Sequence, residues 1–86
     1  MEEKVKALVG DKLIPCDLWI DSVIYEKEGG ENYLRIVLDA NRILNLSEVV
    51  MATRIINPLL DKAGDDFLSE EYILDVYAKS KDEGEI

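Results

Sequence analysis

From Leu46 to Asp61 apolar side chains recur every three or four residues, at Val49, Ala52, Ile55, Ile56, Leu59 and Leu60, while Thr53, Arg54, Asn57 and Asp61 fall on the opposite side. That is the period of an amphipathic helix. Ser47 reads as its N-cap, with Glu48 placed where the positive end of the helix dipole favours an anion. Leu46 and Met51 then occupy the two positions of a hydrophobic staple. Pro58 either kinks this helix or divides it, with an end at Ile56 and a restart capped by Asn57. The stripe keeps its phase from Ile56 to Leu59 and Leu60, which favours the kink, and Gly64 is the expected stop.

The same period, with Val5, Leu8, Val9 and Leu13 on one stripe, predicts a first helix from Glu2 to Ile14, closed by Pro15. Asp17 to Lys27 is richer in β-branched and aromatic residues and predicts a strand. Its alternation is broken: Leu18, Ile20 and Ile24 point one way and Trp19, Val23 and Tyr25 the other, a mismatch that a bulge near Asp21 and Ser22 would repair. Gly29-Gly30 predicts a hairpin turn into a second strand, Tyr33 to Asp39. There Leu34, Ile36 and Leu38 alternate cleanly with Tyr33, Arg35 and Val37. Tyr72 to Ala78 alternates in the same way and predicts a third strand, and Lys79 to Ile86 reads as a charged, flexible tail.

Helix, strand, strand, helix, strand is the order of a two-layer α+β domain over residues 1–78, with both helices on one face of a three-stranded sheet. The helices would cover Leu34, Ile36, Leu38, Leu74 and Val76. The other face would be left bare, showing Tyr33, Arg35, Val37, Ile73, Asp75 and Tyr77, with Trp19 and Tyr25 or their neighbours according to the register of the first strand. Aromatics set among charges suit a partner-binding surface, so Trp19, Tyr25, Tyr33, Arg35, Asp75 and Tyr77 are the candidate site.

Composition narrows what that surface can do. A chain of 86 residues buries only about 60% of its unfolded surface, so the core is small. There is no histidine and one cysteine, Cys16, which removes the usual zinc partners, intrachain disulfides and the commonest general base. Cys16 reads as a small half-buried hydrophobe. No phosphate loop, calcium loop or GXXG clamp is present, and the paired acids Asp65-Asp66 and Glu70-Glu71 read as solvated charge. No catalytic residue, metal site or cofactor is expected.

The net charge is −9, and Asp65 to Ile86 alone holds eight acids against two lysines. Such a balance disfavours direct nucleic-acid binding, which needs clustered Lys and Arg, and suits a basic protein partner. The Met-Glu-Glu-Lys start and short apolar runs give no sign of a signal peptide or a membrane span, which places the chain in the cytoplasm.

Four stretches in order resemble the N-terminal domain of the RimP-type ribosome maturation factors. They are the hairpin Val23-Ile24-Tyr25-Glu26-Lys27-Glu28-Gly29-Gly30, the strand Tyr33 to Asp39, the helix with Leu46-Ser47, Ala52-Thr53-Arg54 and Leu60-Asp61, and the strand Tyr72 to Val76. The resemblance implies the same helix-strand-strand-helix-strand fold. It also implies a non-enzymatic role in maturation of the small ribosomal subunit, through contact with a small-subunit ribosomal protein. Two departures stand out. Ala78-Lys79-Ser80-Lys81-Asp82 replaces the family's link to a C-terminal barrel, and Asn41-Arg42-Ile43 replaces glycines before the central helix. The alternative is a stand-alone homo-oligomeric or regulatory interaction domain, dimerising through the same bare face.

Overall fold

The computed structural model describes residues 2–64 and 70–79. Helix α1 (Glu2–Leu13) leads through a 3-10 turn (Ile14–Cys16) to β1 (Trp19–Glu28), β2 (Glu31–Asp39), α2 (Leu46–Ala63) and β3 (Ile73–Ala78). The predicted order holds. The acidic pair Asp65-Asp66 and tail residues 80–86 lie outside the described residues.

The sheet runs β1-β2-β3, with β1 antiparallel and β3 parallel to the central β2. A parallel neighbour requires a crossover, and α2 supplies it. Both helices pack on one face of the sheet, α1 beside β1, α2 beside β3, and against each other. The core between the layers is Val5, Val9 and Leu13 of α1, Leu34, Ile36 and Leu38 of β2, and Ala52, Ile56 and Leu60 of α2, with Leu18, Ile20 and Ala40. Leu74 and Val76 pack against it from β3, as their alternation predicts, and half-buried Cys16 joins them. Leu8 departs from its predicted place in the stripe and stands at the rim, more than a third exposed.

The hairpin turns on two residues, Gly29 and Gly30, both with positive φ (56° and 84°). Two such residues in a row match the right-handed twist of the flanking strands. Earlier in β1 the register slips between Ile20, opposite Leu38, and Ser22, opposite Val37, so Asp21 is the extra residue of a bulge. The bulge resolves the broken alternation: Leu18 and Ile20 before it and Val23 and Tyr25 after it all reach the core side. Burying four apolar side chains outweighs one interrupted rung of the ladder, since each is worth roughly 1.5 to 3 kcal/mol when fully buried.

Helix α2 runs unbroken through Pro58, without the restart at Asn57, and stops at Gly64, whose amide donates to the Leu60 carbonyl. Its start is two residues earlier than expected. Asn45, not Ser47, is the N-cap: its side chain accepts from the Glu48 amide at 2.9 Å while Glu48 Oε1 accepts from the Asn45 amide at 3.2 Å. This reciprocal capping box satisfies two otherwise free donors, which a Ser47 cap could not do. The expected staple is lost with it. Leu46 is 78% exposed and Met51 55% exposed, while half-buried Leu44 packs on the core from the position before the cap.

Arg42 secures this corner. Its guanidinium donates to the carbonyls of Asp17 (2.8 Å) and Cys16 (3.1 Å) and, through Nε, to Glu48 Oε2 at 3.0 Å. One side chain thereby ties the turn before β1, where Asp17 takes positive φ, to the first turn of α2. The same contacts, led by the Arg42 hydrogen bond, hold the Glu48 carboxyl below the usual carboxylate range.

Candidate functional site

The sheet face away from the helices carries three cross-strand rows fixed by the register. They are Ser22, Val37 and Tyr77, then Ile24, Arg35 and Asp75, then Glu26, Tyr33 and Ile73, with Trp19 opposite Asp39 beyond the first row. Four of the apolar and aromatic members stand well exposed: Trp19 (44%), Ile24 (39%), Ile73 (40%) and Tyr77 (39%).

Five of the six candidate residues therefore share this face: Trp19, Tyr33, Arg35, Asp75 and Tyr77. Tyr25 does not. It pairs with Leu34 and packs against the core, because the bulge at Asp21 reverses the facing of every later residue in β1. Ile24 takes the outer place opposite Arg35. The signal was available in the sequence, since a bulge at Asp21 and Ser22 that puts Val23 on the core side puts Tyr25 there too.

Arg35 is the organising charge of the face. Its guanidinium pairs with Glu26 and, at 3.2 Å, with Glu28 on β1, and approaches Asp75 on β3 at 3.5 Å. It also lies over the Tyr33 ring, 4.9 Å from the centroid, within cation-π range. The Glu28 hydrogen bond is the main reason the Arg35 pKa is raised, and reciprocally the Arg35 hydrogen bond holds the Glu28 carboxyl below its usual range. One cation thus gathers three carboxylates from both neighbouring strands, leaving the cluster negative. Arg35 is engaged within the face and positions the acids; Glu26 and Glu28, not singled out from the sequence, carry the charge outward.

Val37 is only 7% exposed yet stands apart from the core cluster. It lies between the Arg35 row and an ion pair that spans the sheet from Lys79 Nζ to Asp21 Oδ1, 3.3 Å. Lys79, the first residue after β3, donates its amide to the Leu38 carbonyl at 2.7 Å. Two charged straps, Arg35 with its acids and Lys79 with Asp21, therefore shield the middle of a face that no other element covers among the described residues.

A cleft lies between α2 and β3, lined by Asn57, Asp61, Glu71, Tyr72 and Leu74. Burial, with a smaller contribution from Asp61, pushes the Tyr72 phenol up. Among the described residues no group of three or more His, Cys, Asp or Glu side chains is placed to hold a metal, and no helix is long and apolar enough to cross a membrane.

Residues 12–78 match the family described as the RimP N-terminal domain, from the last turn of α1 through all three strands and α2. The match covers well over half of the 86 residues and includes every strand of the outer face. By that match and by its architecture, this chain belongs to the RimP N-terminal domain family of ribosome maturation factors.

Proposed function

We propose that this domain is a non-enzymatic protein-binding module of cytoplasmic ribosome assembly, which recognises a basic small-subunit ribosomal protein through the outer face of its sheet. The observation that carries the reading is the Arg35 cluster: three carboxylates drawn together beside exposed Trp19, Ile24 and Tyr77. Aromatic and aliphatic groups supply contact area at low entropic cost, and the surrounding acids select a cationic partner and speed its encounter. A net charge of −9 acts in the same direction and repels nucleic acid. Residues 1–78 serve as the binding unit in this reading.

The test is a binding assay with nuclease-treated, purified small-subunit ribosomal proteins at low and high salt. Recovery of one basic protein, resistant to nuclease and weakened by salt, is the expected result, because rim charges are screened. Trp19→Ala and Tyr77→Ala should each weaken it by about tenfold or more if these residues are anchors. The Glu26→Gln/Glu28→Gln pair should reduce the salt dependence. Recovery that requires RNA would overturn the reading. So would a homodimer in sedimentation that is abolished by the same Trp19 and Tyr77 substitutions, which would favour a stand-alone oligomeric domain.

A further inference from the structure

The first turns of α2 present a second surface, on the opposite side of the molecule from the outer sheet face. Leu46 (78%), Met51 (55%) and Val50 (40%) are exposed there. Together with Ser47 and Arg54 the three helical side chains line a shallow depression. Leu46, Val50 and Arg54 are spaced four apart, so they form one ridge of the helix with Met51 beside it.

Arg54 closes this depression with an unanswered charge. Of the three arginines, Arg35 and Arg42 are held by carboxylates, whereas Arg54 has no carboxylate partner among the described residues. The reason is local: the positions three and four residues away are Val50, Met51, Asn57 and Pro58, none of them acidic. In a chain with 19 acids against 10 bases, an unpaired guanidinium bordering an apolar ridge marks where an acid from elsewhere fits.

We propose that this face of α2 is a docking site for an amphipathic helical segment of a partner protein, which seats apolar residues on Leu46, Val50 and Met51 and sets a carboxylate against Arg54. A helix is the fitting shape because ridges four residues apart pack into the grooves of another helix. A second copy of this chain fits poorly. Antiparallel pairing of two α2 helices would bring Arg54 to the partner helix's N-terminal turn, the positive end of its dipole, where Glu48 is already held by Arg42 and by the cap. With the sheet face selecting a basic partner and α2 an acidic one, the domain can bridge two proteins of opposite charge.

The probe is a pair of synthetic helical peptides with the same leucine face, one flanked by glutamates and the other by glutamines. Each is titrated into the isotopically labelled full chain at near-physiological salt, which screens long-range repulsion. The glutamate peptide should shift the amides of Leu46, Ser47, Val50, Met51 and Arg54, and bind about two- to fivefold more tightly than the glutamine peptide, as one exposed ion pair allows. Arg54→Gln should erase that preference, and Met51→Lys should abolish binding of both peptides while leaving the remaining spectrum intact. Equal affinity of the two peptides, shifts confined to the sheet face, or failure of both to saturate would overturn the proposal. So would a dimer in sedimentation that Met51→Lys dissociates.

Discussion

Lys79 and Asp21 belong to opposite edges of the sheet, and their side chains meet at 3.3 Å across the intervening β2. The pair is partly exposed, so its charge contributes little, roughly 0.2 to 1 kcal/mol. Val37 sits between Ser22 and Tyr77 in the row next to this pair, so the methylenes of the lysine stem are expected to shield it from water. Lys79→Met, which keeps the methylenes, should therefore cost less than Lys79→Ala. In concentrated salt Lys79→Met should approach the wild type in urea denaturation, whereas Lys79→Ala should not.

The two serine and asparagine positions before and within the first turn of α2 should respond very differently. Asn45→Ala removes half of the capping box and should cost about 0.5 to 2 kcal/mol. Ser47 lines an exposed depression and caps nothing, so Ser47→Ala should stay within about 0.5 kcal/mol of wild type. Chemical denaturation of both variants measures the contrast directly.

Ile56 is fully buried between α2 and the sheet, among Leu34, Ile36 and Leu38. Ile56→Ala should cost about 2 to 5 kcal/mol, a large part of the stability of so small a domain. Met51→Ala, five residues earlier on the outward face, should be nearly silent in the same experiment.

Acid should loosen the corner held by Arg42. The Glu48 carboxyl titrates below its ordinary value of 4.5 in the folded chain, so its contribution is fully present above that value and is lost as pH falls through the lower folded value. Glu48→Gln should therefore be less stable than wild type at neutral pH, with the gap closing below about pH 4.5. A gap that stays constant from neutral to acid pH would show that Glu48 acts by shape and hydrogen bonding alone. Glu2 and Glu28, also held low by Lys6 and Arg35, add to the acid sensitivity of the whole chain.

Much of this was legible in the residues because burial imposes one period on each element. Leu34, Ile36 and Leu38 declared the core face of β2, and the conflict between Ile20 and Val23 declared the bulge. What escaped depended on relationships between residues rather than on pattern. The cap at Asn45 was written as Asn-x-x-Glu, but Ser47 offered a competing cap two residues later. Tyr25 lies on the core side because the bulge at Asp21 shifts the phase of every later residue in β1, and periodicity alone leaves that register open. The role of Arg35 as an anchor for Glu26, Glu28 and Asp75 needed the strand order, which periodicity does not contain.

Joining β2 to β3 in parallel has a kinetic consequence. The β1 and β2 strands are neighbours in sequence and can zip from the Gly29-Gly30 turn, whereas β3 must wait until residues 40–72 have closed into a loop with α2 in place. It arrives late and, as an edge strand paired on one side only, it is the piece that can leave without dissolving the hairpin. Asp75 and Tyr77 leave with it, and so does the Lys79 strap. Opening of β3 alone would uncover Val37 and Arg35 on an otherwise intact hairpin.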